Sequence, residues 1–185
     1  IALEGEQQDG HQFVNDAFRR GAQAVLIEKE VDSQYPVLDL RNEHLPENLP
    51  PFDQPVTLLV SSSLVALQKI ASFWRRKLNI RVIGITGSVG KSTTKELVAE
   101  VLSQKYRTLK NIGNLNNEIG LPLTILRKTE RHQRAVLEMG FYVPGEIKLL
   151  CEIAEPITGV ITNIGAVHAE RAGSLEAIAS GKAEL

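Results

Sequence analysis

The sequence has one cysteine, Cys151, in 185 residues. An internal disulfide and a cysteine-rich metal site are therefore excluded, and a reducing cytoplasm is the expected setting. The formal net charge is only −1, which supplies no bulk attraction to nucleic acid or to an acidic membrane. No apolar run approaches the roughly 18 residues needed to span a bilayer, and no stretch has the pattern of a signal peptide. Neither a nucleic-acid partner nor membrane insertion is expected, and a monomer is the expected state.

What is present is a composition for a packed interior, 43% hydrophobic and 23% charged, long enough for one large domain or two small ones. No internal repeat or low-complexity tract occurs. Both ends read as mid-chain. Ile1 opens on the tail of a strand and a turn, and Leu185 falls within a helical pattern that lacks a stop signal. A piece of a longer protein is the expectation.

Residues 1–60 have a small α/β character. The stretch "HQFVNDAFRRGA" (11–22) places Phe13, Ala17 and Phe18 on one helical face and ends at Gly21. Strands are expected at 24–28, 35–40 and 56–62, and the loop 41–55 carries four prolines. Residues 63–78 form an amphipathic helix with Leu64, Leu67, Ile70, Ala71 and Trp74 on its apolar side. A domain boundary is expected close to Leu78. Beyond it, strands at 80–85, 106–109, 134–138 and 157–162 alternate with helices at 91–104, 117–126, 144–153 and 174–184. Such alternation predicts a parallel sheet with helices on its faces. The fold class is thus α/β, a small N-terminal domain over 1–78 followed by a P-loop parallel-sheet domain over 79–185.

The strongest motif is "VIGITGSVGKSTTKEL" (82–97), which reads as strand, glycine-rich loop and helix. In the common spacing G-x-x-x-x-G-K-[ST] a glycine stands five positions before the second one. Here that position is Ile85, and the chain offers Gly87-x-x-Gly90-Lys91-Ser92 instead. The chemistry survives the shortening. The two glycines let backbone N–H groups approach oxygen, and the helix aims its N-terminus at phosphate. Lys91 can reach terminal phosphates, and the Ser92 hydroxyl can hold Mg²⁺. Thr86, Gly87, Ser88, Val89, Gly90, Lys91, Ser92 and Thr93 are the candidate nucleotide-binding residues. The ordinary alternative, a strand–turn–helix with a surface lysine, does not require this combination.

Three further segments carry polar residues at strand ends, where ligands gather in open α/β sheets. In "GNLNNEIGLPLTIL" (113–126), Asn114, Asn116, Asn117 and Glu118 precede an apolar helix. Their amides can donate and accept together, as sugar, phosphate or peptide recognition needs; an asparagine-rich helix cap is the alternative. In "RAVLEMGFYVPGEI" (134–147), Glu138 stands at the carboxyl end of a strand facing the loop, a natural Mg²⁺ ligand. Glu146, at the next helix start, reads as a helix-dipole partner. In "PITGVITNIGAVHAERAGSLEAIASGKAEL" (156–185), Asn163 ends a strand, His168 follows on a loop, and Lys182 lies on the helix that Ser174 caps. Taken alone, His168 and Lys182 read as polar surface.

"GITGSVGKSTTKEL" resembles the nucleotide loop of the Mur ligases, the ATP-dependent amide ligases of peptidoglycan precursor synthesis; folylpolyglutamate synthetases have a related one. "GNLNNEIG" is similar to the branch that adds D-alanyl-D-alanine to UDP-N-acetylmuramoyl-tripeptide. "E-M-G-x-x-x-x-G-E-I" and "T-N-I-G-x-x-H-x-E-x-x-G-S" are family patterns too. Ala2, Leu3, Gly5, Asp9, Gly10, His11 and Phe13 match the pattern of its N-terminal UDP-sugar domain, although Asp9 and His11 also fit a structural role. The resemblance covers almost the whole chain and is weakest over 29–60.

The resemblance implies ATP and Mg²⁺, with catalysis by Lys91, Glu138, His168 and Lys182. It implies metal ligation by Ser92, Glu138, His168 and Lys182, the last as a carbamate formed with CO₂. It implies substrate contacts from Asn114, Asn116, Asn117, Glu118 and Asn163, in a central ATP-binding domain at 79–185. A third domain is expected beyond this chain, so residues 1–185 alone are expected to be inactive. A sister ligase with another substrate, or a P-loop binding or switch protein without ligase activity, remains open at this point.

Overall fold

The computed structural model describes residues 1–42, 49, 53–165 and 174–185. They form two compact units, Ile1–Leu67 and Gln68–Leu185. Most of the expected proline-rich loop at 41–55 lies outside the described residues, as does His168. Among the described residues no helix is long and apolar enough to cross a membrane.

In the first unit, β1 (Ala24–Ile27), β2 (Val37–Asp39) and β3 (Val56–Leu59) form a parallel sheet in the order β1-β3-β2. The helix expected at 11–22 is shorter. A 3₁₀ turn over Gly10–Phe13 leads into α1 (Val14–Arg19). The tighter turn takes Phe13 out of register, so Phe13 is exposed, and Val14 and Phe18 are buried with Ala2, Val25, Ile27 and Leu59. Gly21 ends α1 at φ +94°, as the sequence suggests.

Asp9 and His11 have structural partners. His11 Nε2 accepts the Glu28 N–H at 3.0 Å, which leaves Nδ1–H to donate to Asp9 Oδ1 at 2.6 Å. The other Asp9 oxygen pairs with Lys29 at 2.5 Å. Lys29 foremost, then His11, holds the Asp9 carboxyl well below the usual carboxylate range. Glu28 in turn accepts the Ser63 N–H at 2.5 Å, at the start of α2 (Ser63–Lys77).

The division between the units falls within α2. The buried positions of this helix are Ser63, Leu67, Ala71 and Arg75, while Ile70 is exposed. The stripe is thus rotated from the expected one and includes a charge. Arg75 is buried because its guanidinium donates to the carbonyls of Ala154, at 2.7 Å, and Glu155, at 3.1 Å. These are the C-terminal carbonyls of α5 (Glu146–Ala154), the negative end of a helix dipole.

The second unit has a four-stranded parallel sheet, β5-β6-β4-β7, of β4 (Arg81–Thr86), β5 (Thr108–Lys110), β6 (Arg134–Glu138) and β7 (Thr158–Ile161). Among the described residues the other helices are α3 (Lys91–Ser103), α4 (Gly120–Leu126) and α6 (Leu175–Lys182). Side chains alternate as the pleat requires. Ala135 and Leu137 of β6 face Leu121, Ile125, Leu150 and Ile153 of α4 and α5. Val136 faces the other way, toward Ala99 of α3, in a cluster with Ile85 of β4. Helices therefore cover both faces, as expected from the alternating sequence pattern. After β4 the chain crosses to β5 on one side and reaches β7 on the other. The carboxyl ends of β6, β4 and β7 thus meet at the point where the strand order reverses, the usual position of a ligand crevice.

Candidate functional site

The loop after β4 turns at Gly87 (φ +145°) and Gly90 (φ +86°). A Cβ on Gly87 would also lie 1.9 Å from Thr162 Oγ1, so backbone angle and space both require glycine there. The first closed turn of α3 is the bond from Thr94 N–H to Gly90 O at 2.9 Å. The preceding amides, Lys91 to Thr93, have no acceptor among the described residues, as the first N–H groups of a helix do. Lys91 Nζ donates to Gly87 O at 2.8 Å, holding its ammonium over the loop. Thr86 serves differently. It is fully buried, and its hydroxyl donates to Met139 O at 3.0 Å, tying β4 to the end of β6.

Glu138 is 3% exposed at the end of β6. Its Oε2 accepts the Ser92 hydroxyl at 2.7 Å and its Oε1 accepts the Asn116 amide at 2.8 Å. Lys95 Nζ lies 3.8 Å from Oε2. Asn111 fixes the Glu138 backbone, accepting its N–H and donating to its carbonyl, each at 2.9 Å. Asn111 O in turn accepts from Lys95 at 3.0 Å. Sequence reasoning passed over Lys95 and Asn111. The signal for Lys95 is its spacing, four residues after Lys91 and four before buried Ala99 on α3.

A cleft of 620 Å³ opens here, lined by loop residues Ser88 to Thr93, Asn114, Asn116, Asn117, Glu138 and Tyr142. Asn114 and Asn116 stand in its wall. Asn117 lines the cleft, but its Oδ1 accepts the N–H groups of Ile119 at 3.3 Å and Gly120 at 2.8 Å, so it also caps α4. Glu118 is not among the lining residues. Glu146, in the first turn of α5, accepts the N–H groups of Tyr142 and Val143 at 2.5 and 3.0 Å, which fits its helix-start role. Tyr142 carried no role in the sequence reading; it follows Glu138 in the same strand-end turn.

Asn163 follows β7, and its Oδ1 accepts the N–H groups of Ser88 and Val89. Lys182 is 1% exposed, with Nζ 4.6 Å from the centre of the Phe141 ring. Burial, and then the charge of Lys91, lower its pKa to about 8. Among the described residues no group of three or more His, Cys, Asp and Glu side chains gathers as a metal cluster. The donors present are a hydroxyl and a carboxylate oxygen beside a phosphate-type loop. That set fits Mg²⁺, which takes few protein ligands and shares phosphate oxygens.

Residues 85–185 match the Mur ligase middle domain. A UDP-N-acetylmuramoyl-tripeptide–D-alanyl-D-alanine ligase of Bacillus subtilis (strain 168) is 45% identical over all of this chain, which spans 37% of that relative. The ligase of the same name from Escherichia coli (strain K12) is 35% identical over all of this chain and 36% of its own length. Among solved structures, MurF ligase from Thermotoga maritima in complex with ADP superposes with a TM-score of 0.80 at 38% identity, over 99% of this chain and 38% of that one. MurF from Acinetobacter baumannii gives a TM-score of 0.82 at 32% identity, over 99% of this chain and 36% of that one. The chain thus spans little more than a third of the length of these relatives.

Replacing Lys95 by Met would leave Glu138 buried without its cation. Removing one partner of a buried pair costs about 3 kcal/mol or more. Urea denaturation of Lys95→Met is therefore expected to show a loss of that size, against less than about 0.5 kcal/mol for an exposed-surface control.

Proposed function

The chain belongs to the Mur ligase family, and we propose that the protein is an ATP-dependent ligase joining D-alanyl-D-alanine to UDP-N-acetylmuramoyl-tripeptide. The observation that carries this is the carboxylate of Glu138, shared between the Ser92 hydroxyl of the nucleotide loop and the Asn116 amide of the asparagine segment. One buried group thereby joins the side that would hold ATP to the side that would hold the acceptor. The names of the similar ligases support the substrates, and the ADP complex of the Thermotoga maritima protein supports the nucleotide. In this reading residues 1–78 serve the UDP-sugar substrate, residues 79–185 serve ATP, and the protein works as a cytoplasmic monomer.

The tripeptide carboxylate oxygen attacks the γ-phosphorus of ATP, the bond to the β–γ bridging oxygen breaks, and ADP leaves. The amine of D-alanyl-D-alanine then attacks the acyl carbon. The C–O bond to phosphate breaks, and the amine gives up a proton as the amide forms. Lys91 and the α3 amides hold the phosphate charge in place, because phosphoryl transfer is mainly a matter of positioning and charge. Ser92 and Glu138 would hold Mg²⁺, with His168 and carbamoylated Lys182 as further ligands. When bound, Mg²⁺ supplies neutralisation between two anionic reactants. Asn114 and Asn116 orient the acceptor from the cleft wall.

The test is ADP release by the full-length protein given ATP, Mg²⁺ and both substrates, each omitted in turn. Release should require both substrates and fall by about a hundredfold or more in Lys91→Ala. Release indifferent to either substrate would mean a nucleotide-hydrolysing or switch protein, and release with a different acceptor would mean a sister ligase.

Carbamoylation of Lys182 needs a neutral amine. A pKa lowered to about 8 leaves half of the amines neutral near pH 8 and more above it, where an ordinary lysine is still a cation. With ¹³C-bicarbonate, a carbamate signal is expected in ¹³C NMR spectra, rising as pH passes upward through 8 and missing in Lys182→Ala. A spectrum without that signal in the unsubstituted protein at pH 8 and saturating bicarbonate would remove Lys182 from the ligand set.

A further inference from the structure

Residues 162–165, at the end of β7, tie down the tip of the nucleotide loop. Asn163 Oδ1 accepts the N–H of Ser88 at 3.1 Å and that of Val89 at 2.9 Å. The backbone carbonyl of Asn163 also accepts the Ser88 N–H, at 3.1 Å. The Ser88 hydroxyl donates to Gly165 O and accepts the Gly165 N–H, both at 2.9 Å. Thr162 Oγ1 donates to Val89 O at 2.6 Å. The amides of Ser88 and Val89 are therefore committed within the protein. Those of Lys91, Ser92 and Thr93 precede the first closed turn of α3 and have no helical acceptor. Gly90, at φ +86°, is the turn between the two sets.

We infer that Asn163 is a positioning residue for the nucleotide loop. It takes up the Ser88 and Val89 amides, so that phosphate is met from Gly90 onward, and it does not itself contact the substrate. This deepens the nucleotide reading above and rests on it. The side chain suits the task. A short loop with glycine at both ends has little internal bonding to hold its shape, and a single amide oxygen satisfies two adjacent N–H groups. Being neutral, it does so without placing a negative charge behind a site for anions. The substrate contact suggested for Asn163 by sequence is replaced by a brace on the opposite partner, the loop.

Two variants of the full-length protein test this, read by amide hydrogen exchange, ADP titration calorimetry and steady-state kinetics. Asn163→Leu removes the acceptor. Exchange at Ser88 and Val89 should accelerate, and ADP binding should weaken by about ten- to thirtyfold, as the loss of two hydrogen bonds implies. KM for ATP should rise while KM for D-alanyl-D-alanine stays unchanged, a split that a purely structural role would not produce. Asn163→Asp keeps the acceptor and adds a charge. Exchange at Ser88 and Val89 should stay slow while ADP binding weakens, and this variant decides the matter if Asn163→Leu does not fold. Unchanged ADP affinity in Asn163→Asp, or loss of affinity for the tripeptide or dipeptide alone in either variant, would overturn the inference. Absence of ADP binding by the unsubstituted protein would instead defeat the nucleotide reading itself.

Discussion

A buried carboxylate organises this site. Glu138 is nearly inaccessible to solvent, and an ionised group removed from water must be paired and hydrogen-bonded to persist. Its carboxylate is met by Ser92 and Lys95 on α3 and by Asn116 ahead of α4, while Asn111 satisfies its backbone. These partners come from α3 and from the segment between β5 and α4, so meeting the needs of one charge sets the loop, the asparagine segment and β6 in register. The Ser92 hydroxyl and the Glu138 oxygen it bonds are together a hard donor pair suited to Mg²⁺.

The parallel sheet makes this possible. With β6 on one side of β4 and β7 on the other, the strand ends that flank the loop carry Glu138 and Asn163. Glu138 works on the α3 side of the loop and the segment after β7 works on its tip. The loop itself is short, and its two positive-φ glycines give it little intrinsic rigidity. Its shape is set from both flanks. Lys182, on α6, belongs to the same electrostatic setting, since the Lys91 charge contributes to its lowered pKa.

Much of this was legible in the sequence. The glycine spacing, the alternation of strands and helices, and carboxylate and amide residues at strand ends located the loop, the parallel sheet, Glu138 and the asparagine segment. The burial of Lys95, Asn111 and Arg75 was not legible, for one physical reason. Hydrophobic periodicity reports which side chains leave water for apolar surroundings, whereas Lys95, Asn111 and Arg75 are buried by specific partners far away in sequence. The α1 face was misread because a 3₁₀ turn shifts the angle between successive residues, as Phe13 and Val14 show. Asn163 was found as a site residue, but its direction could not be read, since a strand end places a side chain without saying which neighbour it bonds. His168 lies outside the described residues.

The claim on which the account turns is that Glu138 links the nucleotide and the metal. Manganese binding by the full-length protein, followed by electron paramagnetic resonance with and without ATP, tests it most directly. The account predicts Mn²⁺ binding that tightens with ATP and weakens at least about tenfold in Glu138→Gln, the loss of a charged ligand being worth more than an ordinary hydrogen bond. Equal Mn²⁺ affinity in the folded Glu138→Gln variant and the unsubstituted protein, with ATP present, would contradict it.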